Sequence, residues 1–153
     1  MGSLARWLYR GGRPHLLARG MNRLSALLHA SGIAPNYLVT LEVRGRVSGR
    51  PITFPLVMVV VAAERYLVSM LGTEAAWVRN LRAADGLALL RHGRKERVRL
   101  TEIAAVDRAP ILKAYLHAAP GARPHVPVDK NASLEQFAAI AAQFPVFRVT
   151  PVD

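Results

Sequence analysis

From Tyr37 onward the chain is written in short runs of β-branched and alternating residues, broken every few positions by glycines and charged clusters. A side chain repeat of two suits strands buried on one face, and connections as short as these suit hairpins rather than crossovers. Strands are expected near 37–43, 52–61, 65–70, 87–91, 95–104 and 146–150. The links Ala62-Ala63-Glu64 and His92-Gly93-Arg94 are short enough to be hairpin turns, so the sheet should be mainly antiparallel. Six strands suffice for a small barrel.

Residues 1–35 have a different character. After Pro14, Leu16, Leu17, Met21, Leu24, Leu27 and Leu28 share one helical face, with Arg19 and Arg23 opposite. Gly32 and Pro35 end this amphipathic helix. It is expected to pack on or beside the domain formed by 36–153; its basic flanks and Trp7 also suit a membrane surface. Three further helices are expected: 74–84 behind Thr73 as N-cap, 108–118 starting at Asp107, and one from Ser133, with Gln136 completing a capping box, to about Gln143. The proline-rich stretch 118–132 reads as a long loop.

The 153 residues make one domain rather than two. There is no cysteine, which removes disulfides and thiolate metal sites. The longest apolar run, 55–63, is too short to cross a bilayer, and no cleavable signal pattern opens the chain, so a cytoplasmic or peripherally membrane-associated protein is expected. The net charge of +11, carried largely by arginine, suits a phosphate- or carboxylate-bearing partner. Arginine-driven nucleic-acid binding ranks last, because few aromatic residues interleave with the basic ones.

Two segments concentrate anion-binding ingredients. Gly45-Arg46-Val47-Ser48-Gly49-Arg50-Pro51 combines glycine amides, a hydroxyl and two guanidinium groups between two strands. A solvated hairpin turn would use the same residues. In Gly72-Thr73-Glu74-Ala75-Ala76-Trp77-Val78-Arg79-Asn80 a glycine turn feeds a helix N-terminus, where free amides favour an anionic or electron-rich group. Taken alone, Trp77 would more simply be a core residue. The five histidines show neither the i,i+4 spacing nor the neighbouring carboxylates of a metal site, and no metal is expected. Nucleophile-elbow, GxGxxG and Walker signatures are absent.

Taken in order, TLEVRGRVSGRPITFPLVMVV, YLVSMLGTEAAWVRNLRA and the C-terminal PVFRVTPV resemble the deazaflavin-dependent nitroreductase family of split β-barrel oxidoreductases. The resemblance covers Tyr37 to the C-terminus. It implies an α+β fold, a six-stranded split β-barrel with flanking helices, that holds coenzyme F420, with FMN as the alternative. Arg46, Ser48 and Arg50 would then contact the cofactor phosphate, beside Gly49. Pro55, Leu56, Met70, Gly72, Ala76, Trp77 and Asn80 would line the ring and ribityl chain. The implied chemistry is hydride transfer to a small hydrophobic quinone, enone or nitro acceptor, with His125 as candidate proton donor; a homodimer is also implied. The chain departs from the family pattern at Val47, Ile52 and Leu71, where relatives carry basic residues, and has no tyrosine after Tyr115. Those departures keep open a non-catalytic barrel that binds a fatty acid, haem or another apolar ligand.

Overall fold

The computed structural model describes residues 38–153; the N-terminal helix expected within 1–35 lies outside them. Six strands, β1 (Leu38–Arg44), β2 (Pro51–Val61), β3 (Glu64–Val68), β4 (Leu87–Arg91), β5 (Lys95–Glu102) and β6 (Val146–Pro151), close into a barrel in the order β1-β2-β3-β6-β5-β4. Every pairing is antiparallel. With three helices, α1 (Ala76–Ala83), α2 (Ala109–Ala118) and α3 (Leu134–Ile140), this is the expected α+β split-barrel architecture.

Strand alternation sorts the side chains into two cores. Val39, Leu41, Val43, Phe54, Leu56, Met58, Leu67, Leu90, Val98, Leu100, Phe147 and Val149 fill the barrel interior. Trp77, Val78 and Leu81 of α1 join them, so that helix plugs the barrel end at which β1 meets β2. The second core forms outside the β2–β3 wall. There Val59 and Val68 meet Ile111, Leu112, Tyr115 and Leu116 of α2, Phe137 of α3, and Phe144. β2 is thus buried on both faces, which accounts for its long unbroken apolar run.

Several element ends differ from expectation. β3 stops at Val68 rather than 70, because Ser69 turns inward: its amide donates to the Pro145 carbonyl at 2.9 Å and its hydroxyl to the Gly72 carbonyl at 2.7 Å. β5 stops at Glu102 rather than 104, giving way to a 3₁₀ turn at Ala105–Asp107. α1 begins at Ala76 with Ala75 as N-cap, so Thr73 caps nothing. α2 begins at Ala109 with Arg108 at the cap position and Pro110 in its first turn; Asp107 belongs to the preceding 3₁₀ turn. α3 carries the expected capping box, Gln136 N–H donating to Ser133 Oγ and Ser133 N–H to Gln136 Oε1, but breaks into a 3₁₀ turn over Ala141–Gln143. The 118–132 stretch contains a 3₁₀ turn, Pro120–His125, anchored by buried Ala119, Ala122 and Val126.

α1 ends in a Schellman arrangement. Asp85 adopts a left-handed conformation (φ 55°), Asp85 N–H donates to the Arg82 carbonyl, and Gly86 N–H donates to the Leu81 carbonyl at 2.9 Å. Gly86, itself at φ 78°, is then held against β5 by the Leu100 N–H at 2.8 Å. At the opposite barrel end the β2–β3 hairpin turns on Ala62 and Ala63, both with positive φ (51° and 67°). That geometry matches a two-residue hairpin turn, although glycine or asparagine would adopt it with less strain.

Candidate active site

A cleft of about 830 Å³ opens where the β1–β2 loop, the N-terminus of α1 and the segment after α3 converge. This volume lies in the range of small-molecule and cofactor pockets. Gly45, Arg46, Val47, Ser48 and Ile52 supply one side, and Met70, Leu71, Gly72, Glu74, Ala75, Ala76 and Asn80 the other. His125, Gln143 and Phe144 complete the lining.

The β1–β2 loop is pinned to α1 by one buried side chain. Asn80, 3% exposed, accepts two hydrogen bonds at Oδ1: from the Arg46 amide at 3.1 Å and from the Arg46 guanidinium at 2.7 Å. Within the loop, Gly45 N–H donates to the Arg50 carbonyl, Gly49 N–H to the Gly45 carbonyl, and Arg50 N–H to Ser48 Oγ. A Cβ on Gly45 would lie 2.7 Å from Ser48 Oγ and 2.8 Å from Ile52 Cδ1, so any larger residue there would push those side chains aside. Facing this loop, α1 begins without a side-chain cap and without an acidic residue in its first turn. Its opening amides are therefore available to an electron-rich group in the cleft.

Seven of the residues singled out from the sequence come together here: Arg46, Ser48, Met70, Gly72, Ala76, Asn80 and His125. The other five do not line the cleft. Gly49 and Arg50 lie exposed on the loop. Pro55 sits mid-strand opposite Thr40, and Leu56 points into the barrel core. Trp77 is 3% exposed and packs on Phe147, ring centroids 5.6 Å apart. The face of α1 explains the last case. Ala76 and Asn80, four apart, look into the cleft, and Trp77 and Leu81, also four apart, look into the barrel.

Glu74, Ala75, Gln143 and Phe144 line the cleft without having been singled out for it. Gln143 and Phe144 reach it from the far end of the chain through the Ser69–Pro145 bond, a contact with no local signature. Val47, Ile52 and Leu71, the positions where the chain departs from the family pattern, all face the cleft. They give it a mostly apolar wall.

Two ionic clusters frame the barrel. Beneath the cleft, Glu102 accepts from Arg82 (3.0 Å) and from buried Arg108 (3.1 Å), whose guanidinium also donates to the carbonyls of Ile103, Ala141 and Phe144. Arg108 thereby holds the segment carrying Gln143 and Phe144. At the other barrel end, Arg65 makes a two-pronged pair with Glu96 (2.7 and 3.0 Å), and His92 Nε2 lies 3.2 Å from the same carboxylate. The Arg65 hydrogen bonds hold the Glu96 carboxyl down at about 2, and the Arg65 guanidinium is raised in turn. His92 and Glu96 correct the expectation that no histidine has a carboxylate neighbour. With arginine as the third member, the trio is an ion-pair cluster rather than a metal cage.

No family model matches the chain, and no curated protein does. Solved structures do. The protein Atu2129 of Agrobacterium tumefaciens, of unknown function, aligns at TM-score 0.53 and 12% identity over 82% of this chain, which spans only 54% of that one. An F420-H2 dependent reductase, FDR-A, aligns at TM-score 0.51 and 17% identity over 74% of this chain and 94% of its own. A Listeria innocua protein provisionally named a pyridoxamine 5'-phosphate oxidase aligns at TM-score 0.51 and 11% identity, covering 87% and 94%. At such identities the likeness is one of fold: the chain has a split β-barrel of the kind found in these proteins. No helix among the described residues is long and apolar enough to cross a membrane.

Proposed function

We propose that the cleft binds a flavin-type cofactor, coenzyme F420 first and FMN as the alternative, and that the protein is a reductase acting on a small hydrophobic quinone, enone or nitro acceptor. The observation that carries this reading is the Arg46–Asn80 clamp, which sets a glycine- and serine-bearing loop against the uncapped start of α1 at the rim of a mostly apolar cleft. The donor set fits such a group. Ile52, Met70, Leu71 and Phe144 offer apolar surface to a planar ring, while Arg46, Ser48 and the α1 amides offer donors to its polar edge or phosphate.

When bound, such a cofactor supplies the hydride. The chain's own residues position the reactants and exclude water. Asn80 fixes the loop, Phe144 and Leu71 keep the wall dry, and His125, half-buried at the end of its 3₁₀ turn, is the candidate proton donor beside the acceptor. A homodimer belongs to the same proposal, and sedimentation velocity tests it separately.

One observation favours a second reading. Among the described residues Arg46 is the only arginine in the cleft lining and already serves Asn80, and Val47, Ile52 and Leu71 add no charge. A non-catalytic site for a fatty acid, haem or another apolar ligand would need no more. Titration of the purified protein with F420 and, separately, FMN, followed by fluorescence quenching, decides between them. F420 binding at micromolar concentration or tighter with FMN ignored supports the reductase. FMN binding alone moves the protein to flavin, and binding of neither leaves the apolar-ligand reading.

A further inference from the structure

Among the described residues, one wall of the barrel is strongly basic and no helix packs on it. α2 packs on β2 and β3, whereas Leu87 of β4, Lys95, Arg97, Arg99 and Thr101 of β5 and Arg148 of β6 are exposed, with Leu89, Arg91 and Thr150 half-buried among them. Along β5, Lys95, Arg97 and Arg99 alternate outward, spaced about 7 Å apart by the strand repeat. Arg148 lies opposite Thr101 on β6, and Leu89 and Leu87 lie opposite Arg97 and Arg99 on β4. Asp85 balances Arg99 at 3.3 Å, and Glu42 balances Arg91. Among the described residues, Lys95, Arg97 and Arg148 make no ion pair or side-chain hydrogen bond. Lys95 and Arg97, about 7 Å apart and without counter-charges, repel each other, and Arg148 extends the same positive row beyond Arg99; an anionic partner would relieve that repulsion.

We propose that this wall docks on an anionic lipid bilayer. Its charge is complementary to acidic headgroups, and each basic residue brought to such a surface adds attraction. The basic column runs beside a leucine row, Leu87 being 43% exposed, which offers apolar contact at the headgroup boundary. Base stacking has little platform here: no outward position of β4 or β5 is aromatic, and Tyr66, opposite Arg148 on β3, is partly buried against the outer core. The surface is separate from the cleft, so the inference stands whether or not the cofactor proposal does.

The test is cosedimentation of the full chain with phosphatidylcholine vesicles and with vesicles containing phosphatidylserine, at low and high salt, beside the Lys95→Glu/Arg97→Glu/Arg148→Glu variant. Residues 1–37, with their own arginines, are unchanged in that variant. The unaltered chain should bind the anionic vesicles, ignore the neutral ones and be released by salt. The variant should partition about a hundredfold more weakly. If the charge-reversed chain does not fold, as judged by circular dichroism, the triple glutamine variant replaces it and should lose binding in the same direction. Unchanged binding by a folded variant, no binding by the unaltered chain, or a preference for duplex DNA over the anionic vesicles would overturn the proposal.

Discussion

Arg46 and Asn80, 34 residues apart, meet twice at a single oxygen: the Arg46 amide and its guanidinium both donate to Asn80 Oδ1. The pair joins the loop leaving β1 to the helix plugging the barrel, and it forms one side of the cleft. Asn80 is nearly fully buried, and without its oxygen the Arg46 amide and guanidinium lose the partner that ties the loop to the helix.

Asn80→Ala should therefore destabilise the protein by about 1–3 kcal/mol in urea denaturation. It should also weaken the proposed F420 binding at least tenfold, read by the same fluorescence titration. Asn80→Asp keeps the acceptor oxygen and should retain most of the stability. An alanine variant that unfolds at the unaltered midpoint would mean the clamp contributes nothing.

Arg108 is the structural counterpart below the cleft. Removing it takes its donors from the Ile103 and Phe144 carbonyls, one of two donors from the Ala141 carbonyl and one of three hydrogen bonds from Glu102. Arg108→Ala should cost about 1–3 kcal/mol, since buried carbonyls lose their donor. Arg108→Lys should recover only part of that, because an ammonium cannot reproduce the planar fork. Denaturation midpoints of the two variants check the order.

The Glu96 carboxyl is held at about 2 chiefly by the Arg65 hydrogen bonds, against an ordinary value of 4.5. A depressed folded-state value means that the pair's contribution is complete above about pH 4.5 and is lost as pH falls from there toward 2. Glu96→Gln should thus cost about 1 kcal/mol at neutral pH. The difference from the unaltered chain should close on acidification. Urea titrations at several pH values read it directly, and a gap that widens toward low pH would contradict the assignment.

Two glycines of like conformation should respond very differently to alanine. At Gly86 (φ 78°) a Cβ would sit 2.4 Å from the Leu100 carbonyl oxygen, and backbone cannot move aside cheaply. At Gly93 (φ 83°) a Cβ would meet nothing within 4 Å. Gly93→Ala should cost about 1–2 kcal/mol, the left-handed penalty alone. Gly86→Ala should cost at least about 3 kcal/mol, since the clash adds to that penalty. Thermal melts of both variants test the contrast.

The sequence by itself determined the strands, the Ser133 capping box and the glycine-rich turn carrying Arg46 and Ser48, because alternation, caps and glycine-rich turns are written in neighbouring residues. Barrel closure is different in kind. Pairing of β3 with β6 and of β1 with β4 joins segments far apart in the chain, and only the packed interior selects them. The same holds for the site. Which face of α1 takes Trp77 into the core and turns Ala76 and Asn80 to the cleft depends on burying the larger ring against Phe147. Gln143 and Phe144 reach the cleft only because Ser69 and Arg108 tie their segment down. Local chemistry nominated the residues, and long-range burial and hydrogen bonding decided which of them share one cavity.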